Sequence, residues 1–289
     1  MSTNLFQENP ARVEGICLQM YSFMDGNNND TRENLKAAAR MGYDGVELFG
    51  MNLEVPAEEM KQLLEEYGLT PVSMHVNADQ ILTYLPYAKT LGMRFIGIGM
   101  HPMMNEAEVH AFAAKLNELG EACGREGLMV TYHNHTQEFG SYGEKRIIDI
   151  LMEETNPEHV GFELDAGWCA AAGVDPIAFV KEKSGRIRLI HIKESSEAIG
   201  PQPFMDWESI EKDENGRPVF TPEMTAEMER QKKINCGAGE GLVDWKALKE
   251  AADAQGCAAY IVEREYSYQG TRLECLQADI DQYRKQLAD

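Results

Sequence analysis

One unit recurs along this chain, and no other feature limits its fold so tightly: an amphipathic helix, a glycine, a few residues, then a β-rich run. It reads as LKAAARMGYDGVELFG, MKQLLEEYGLTPVSMHV, YAKTLGMRFIGIGM, ELGEACGREGLMVTYH, VKEKSGRIRLIHIKE and LKEAADAQGCAAYIVERE. Gly42, Gly68, Gly92, Gly127, Gly185 and Gly256 stand where a helix ends in left-handed backbone, which glycine adopts without a Cβ clash. Asp30 with Glu33, and Asn105 with Glu108, mark helix starts in the manner of a capping box. Apolar, β-branched runs supply eight candidate strands: GICLQMYSF, GVELF, PVSMHV, FIGIGM, LMVTYHN, VGFELDA, IRLIHIKE and AAYIVERE. Helices are expected between and after them, near 32–41, 56–67, 79–91, 106–125, 146–154, 175–183, 244–255 and 271–287. Strictly alternating strands and helices imply parallel strands joined by right-handed crossovers. Eight such units in 289 residues predict an α/β chain folded as a single (β/α)8 barrel over residues 1–289. An open, doubly wound sheet is the competing arrangement, but no G-x-G-x-x-G turn follows the first strand.

The repeat is broken once at length, from about residue 195 to 242, after the seventh strand. Loops of that size in compact domains often cover or bind, so this stretch is expected to be a lid-like insertion within the barrel domain. DENGRPVF within it is a turn signal for a small hairpin, and NCGAGEGLVDW leads into a helix that Asp244 can cap. Those glycines match no phosphate-cradling spacing and carry no lysine.

Four consecutive strands end in polar residues two apart: His133/His135, Glu163/Asp165, His191/Lys193 and Glu263/Glu265. Residues i and i+2 of a strand share a face. In a barrel both can therefore point inward at the C-terminal mouth, where such folds place their active sites. Glu47 and His75 occupy comparable positions further round the ring. Carboxylates converging without a counter-ion repel one another and raise each other's pKa. A divalent cation removes that cost, and a carboxylate–imidazole set suits Mn, Mg, Co or Zn.

The charge narrows the partners. Net charge is −21, from 48 acidic and 27 basic residues, which argues against nucleic acid and anionic membrane surfaces. Six scattered cysteines without a C-x-x-C pair, and a polar start (MSTNLFQENPARVEG), lead us to expect reduced thiols in a cytoplasmic protein. The acidic surface is compatible with a homo-oligomer.

With YHNHTQEF, FELDAGW, LIHIKE and YIVERE as its sharpest features, and LPYAKTLGMRFIGI beside them, the chain resembles the sugar phosphate isomerase/epimerase superfamily of xylose isomerase-like TIM barrels. That group includes ketose 3-epimerases, hydroxypyruvate isomerase, inosose dehydratase and, more distantly, endonuclease IV. The resemblance implies one divalent ion (Mn, Mg, Co or Zn) held by residues of the last four strands: Asp165, His191 and Glu263, with Glu138 favoured over His133 as the fifth-strand ligand. It implies proton transfer by Glu138 and Glu263, with His133 and Lys193 as further catalytic candidates. His75, Glu47, His135 and Trp168 are expected to bind substrate, Trp168 standing where ketose epimerases carry a histidine. The activity so implied is a metal-dependent isomerase or epimerase removing a proton next to the carbonyl of a ketose or keto-sugar. A lyase acting on a keto-polyol or 3-keto-glycoside through the same enolate is the alternative. A non-catalytic sugar-binding subunit and an endonuclease IV-like nuclease rank lower.

Overall fold

The glycine-ended helices set the frame. In the computed structural model, which describes residues 12–24, 30–206, 210–214, 216–267 and 269–287, helices α1 (Thr31–Met41), α2 (Ala57–Tyr67) and α3 (Ile81–Leu91) stop at Gly42, Gly68 and Gly92. All three glycines lie in left-handed backbone. Asp30 opens α1 by accepting from the amides of Arg32 and Glu33, and Asn105 opens α4 (Glu106–Gly124) by accepting from Glu108. Each stop turns the chain back toward the axis, where the next strand begins.

Eight parallel strands close into a barrel in sequence order: β1 (Cys17–Gln19), β2 (Gly45–Phe49), β3 (Thr70–His75), β4 (Phe95–Ile98), β5 (Met129–His133), β6 (Val160–Asp165), β7 (Ile187–Ile192) and β8 (Ala259–Val262). Around them, α1–α4 are followed by α5 (Ile147–Glu154), α6 (Ala166–Ala171), α7 (Pro176–Glu182), α8 (Pro222–Ile234), α9 (Trp245–Ala254) and α10 (Arg272–Gln286). The expected barrel is thus the observed one. The first strand is shorter than its apolar run, because the Gln19 side chain accepts from the Tyr21 amide and starts a 3-10 turn over Met20–Phe23.

Strand alternation divides the interior. Val46, Leu48, Val130, Tyr132, Phe162, Leu164, Ile190 and Ile192 join the main core with helix residues such as Leu35, Met60, Ile81 and Leu116. Full burial of each such apolar side chain is worth about 1.5–3 kcal/mol. On the inward parity, Cys17, Phe95, Met129, Leu189 and Ile261 form a second apolar cluster, joined by Val72 at the register shift between β2 and β3. The polar residues of the same parity come later along each strand, so one end of the barrel is plugged with hydrocarbon and the other carries the charge.

The long interruption is not a plain loop. Lys212 and Pro218 form an antiparallel bridge around a tight turn, consistent with the expected hairpin (its Asn215 lies outside the described residues). Beyond it runs α8, which the sequence reading did not anticipate, opened by Thr221 and with Pro222 in its first turn. Ile234 at its end packs with Trp168 and Ala171, and Ser195 bridges Asn235. All six cysteines are free thiols. No helix among the described residues is long and apolar enough to cross a membrane.

Candidate active site at the barrel mouth

Asp165 ends β6 and simultaneously caps α6. Its Oδ1 accepts from the Trp168 amide at 2.7 Å, while Oδ2 is buried without a hydrogen bond. The turn between them depends on Gly167, where an added Cβ would lie 2.3 Å from the Lys193 carbonyl oxygen. Only glycine lets this helix begin so close to the end of β7.

Three further side chains meet Asp165 there. His133 Nε2 lies 3.5 Å from Asp165 Oδ2, and His191 Nδ1 lies 3.4 Å from Glu263 Oε2. His133, Asp165, His191 and Glu263 each offer a ligand atom, all within 4.8 Å of one another. Hydrogen bonds decide which way the rings present themselves. His133 Nδ1 is 3.1 Å from the Gly99 carbonyl, so it donates and leaves Nε2 as a lone pair toward the centre. His191 Nε2 is 2.8 Å from Glu47 Oε1, which likewise leaves Nδ1 for the centre. Those two nitrogens and Asp165 Oδ2 are buried and make no hydrogen bond. Polar atoms left without partners this deep are costly, and a cation displacing any proton on His191 would remove that cost. Imidazole and carboxylate donors in this number fit a divalent ion of the Mn, Co or Zn kind.

A second layer lies behind the first. Glu47, His75, Glu163 and His191 also bring ligand atoms within 4.8 Å of one another. His75 Nε2 contacts Glu163 Oε2 at 2.6 Å, and Gln19 Nε2 donates to Glu47 Oε1 at 2.6 Å. The ring of His75 fits because glycines face it, Gly97 in β4 and Gly99 just beyond: a Cβ on either would come within 2.8 or 2.9 Å of it. Carboxylates orienting the far nitrogen of a metal-binding histidine are a common support for such sites, and Glu47 stands in that relation to His191.

Electrostatics follow from this crowding. Burial and the neighbouring Glu163 raise the Glu47 carboxyl. Burial works in the same direction at Glu163, but His191 and His75 overcome it and hold that group well below the usual range. Burial would lower His191, yet Glu163, Glu263 and Glu47 hold it well above its ordinary value. Burial pushes His133 and His135 down to about 3, so both are neutral. Burial raises Asp165 to about 6 against the pull of Lys193.

Lys193, just past β7, bridges the acids. Its Nζ is 3.0 Å from Glu263 Oε2 and 2.7 Å from Glu265 Oε1, and it stands 4.9 Å from the centre of the Trp168 ring. Trp168, expected to offer a face to substrate, is buried between Lys193 and the end of α8. Glu138 is placed apart from both four-residue groups. The loop after β5 turns through Gln137–Phe139, and the fully buried Glu138 carboxylate accepts from the Tyr132 hydroxyl at 2.6 Å and the His135 amide at 2.8 Å. It ties down the chain that carries His135.

A cavity of about 800 Å³ opens over these groups. His75, His133, His135, Glu263 and Glu265 form its polar wall. The opposite wall is Tyr21, Phe49, Leu53, Tyr84, Met100 and Pro102, from the end of β2, the loops after β1, β2 and β4, and α3. Strand alternation reveals one member of this wall, Phe49, which ends β2 two residues beyond Glu47 and shares its inward face; the other five lie outside the strands. Glu163, Glu265 and Gln19 are the site groups for which no role is expected from the sequence, although Glu163 and Glu265 belong to the polar pairs.

A family profile for xylose isomerase-like TIM barrels matches residues 35–287. Among curated relatives, inosose dehydratase of Geobacillus thermodenitrificans is 27% identical over 169 residues, covering 57% of this chain and 49% of that one. Inosose dehydratase of Clostridium tetani is 33% identical over 98 residues, covering 34% and 32%. The matches thus span about half or less of these relatives. Among solved structures, a sugar phosphate isomerase/epimerase from Parabacteroides distasonis superposes with a TM-score of 0.71 at 21% identity, covering 92% of this chain and 96% of that one. IolI protein with a bound zinc atom gives 0.67 at 15%, covering 95% and 98%.

Proposed function

The chain belongs to the xylose isomerase-like TIM barrel family, and from that premise we propose that it is a divalent-metal-dependent isomerase or epimerase of a keto-sugar. The observation that carries this reading is the set of buried ligand atoms without hydrogen bonds, His133 Nε2, Asp165 Oδ2 and His191 Nδ1, converging beside Glu263. We assign the ion to these four residues, with His133 in the fifth-strand position and Glu138 as the residue that positions His135. An ion there would polarise a substrate carbonyl or hydroxyl oxygen and stabilise negative charge developing on it. Glu265 and His135 line the cavity from the segments just after β8 and β5 and are the groups we assign to remove and return a proton on the neighbouring carbon. Lys193 holds Glu263 and Glu265 in register through its two short contacts. Glu47 fixes the ring of His191. Residues 195–242 are read as the cover of this half of the mouth, supported by the packing of Ile234 on Trp168.

Elimination from the same deprotonated carbon is the second reading, favoured by the dehydratases among the relatives. Incubation of the manganese-loaded protein with keto-sugars in deuterated water separates the two by mass spectrometry. An isomerase or epimerase returns a sugar carrying one deuterium, and a lyase releases water or an aglycone. A sugar that binds without acquiring deuterium or losing mass would overturn the enzymatic reading in favour of a binding subunit.

A further inference from the structure

The cavity is larger and less polar than a free sugar requires. At about 800 Å³ it lies in the upper part of the roughly 300–1,000 Å³ range of pockets for drug-sized ligands. A hexose has twelve non-hydrogen atoms. At about half of a liquid water's ~30 Å³ for each, it would fill roughly a quarter of the space. The remainder adjoins the apolar wall. Tyr21 and Met100 are 39% and 45% exposed there, and the Tyr21 and Phe49 rings meet edge to face at 5.1 Å. Large apolar side chains held open to solvent beside a charged centre mark a binding surface.

Charge decides what that surface takes. The lining includes Glu54, Glu263 and Glu265 and no lysine or arginine. None of the residues outside the described set is lysine or arginine either. Lys193, the cation of the charged layer, is occupied by Glu263 and Glu265. A phosphate group on the substrate would therefore enter an acidic cavity with no lysine or arginine to receive it, and with His75 already paired to Glu47 and Glu163.

We infer that the substrate is an unphosphorylated keto-glycoside rather than a free sugar or a sugar phosphate: its keto ring sits against the charged wall and its aglycone, an apolar or aromatic group, lies on Tyr21, Phe49, Leu53, Tyr84, Met100 and Pro102. This rests on the keto-sugar reading above and extends it to the other half of the cavity. An aromatic aglycone stacks on rings and packs against thioether at little conformational cost.

The test is calorimetric binding to the manganese-loaded protein of 3-keto-glucose, its methyl and phenyl β-glycosides, and its 6-phosphate. The phenyl glycoside should bind at least tenfold more tightly than the free sugar, with the methyl glycoside between them. Met100→Ala and Phe49→Ala should each narrow the phenyl advantage to below threefold. Met100 is exposed, so that variant is expected to fold even if the other does not. The 6-phosphate should bind at least tenfold more weakly than the free sugar at low salt, with the gap closing as ionic strength rises. Equal affinity for free sugar and phenyl glycoside, a phenyl advantage untouched by Met100→Ala, or tighter binding of the phosphate would each overturn the inference. If wild-type protein still incorporates deuterium into a free keto-sugar in that event, only the extended substrate falls. If it handles none of these sugars at all, the keto-sugar reading falls with it.

Discussion

The two halves of the barrel mouth are built from opposite materials. Strands β5–β8 contribute His133, Asp165, His191 and Glu263, nearly all buried and several with unpaired atoms. The loops after β1, β2 and β4, with α3 and the last residue of β2, contribute Tyr21, Phe49, Leu53, Tyr84, Met100 and Pro102. The first half is anchored in strands, whose backbone hydrogen bonds fix each side chain along the axis. The second comes mostly from loops, which can change without disturbing the barrel, with Phe49 from the end of β2 and Tyr84 from α3 as its fixed members. The candidate metal ligands therefore sit on or next to rigid strands, and the apolar wall sits mostly on variable segments.

The sharpest way to break this division is Asp165→Asn. Asparagine caps a helix as well as aspartate does, so α6 should persist while the ion is lost. Deuterium incorporation should fall by about a thousandfold, the upper range for losing one key electrostatic contact. Metal analysis and circular dichroism check the two parts separately. A full ion complement in this variant would move the centre elsewhere. Glu47→Gln probes the support behind the same half, and its ion affinity should weaken by roughly 10–100-fold, read by competition with a chelator. Gly97→Ala lies where the halves meet. Its new methyl would lie 2.8 Å from the His75 ring, and the overpacking should cost about 1–3 kcal/mol in urea denaturation. Smallest of all, Tyr84→Ala on the apolar side should leave metal content at the wild-type value and shift affinity for a free keto-sugar by less than threefold. A loss of metal there would mean that the halves are not independent.

These differences also explain what could be read from the sequence. Gly42, Gly68 and Gly92 end helices as expected, because helix termination is local chemistry. The inward sharing of Glu163 with Asp165 and of His191 with Lys193 follows from strand periodicity, and the structure brings all four to the charged layers. The position of Glu138 did not follow. Whether its carboxylate reaches the centre depends on how the chain turns after His133, and the Tyr132 hydroxyl and His135 amide capture it first. Apart from Phe49, which shares the inward face of β2 with Glu47, the apolar wall left no periodic trace because its members come from separate loops and one helix. Helix α8 had its signals, Thr221 then Pro222 at one end and Lys232 and Lys233 at the other, but they lie in a stretch where the strand–helix rhythm had already lapsed.

One detail at Asp165 reaches beyond this division. With one oxygen tethered to the Trp168 amide and Gly167 pressed against the Lys193 carbonyl, the carboxylate cannot retreat to make room. The site thus behaves as a fixed-calibre gauge. Calcium, with its contacts of about 2.3–2.6 Å and its appetite for six to eight oxygens, should be turned away where smaller transition ions are admitted.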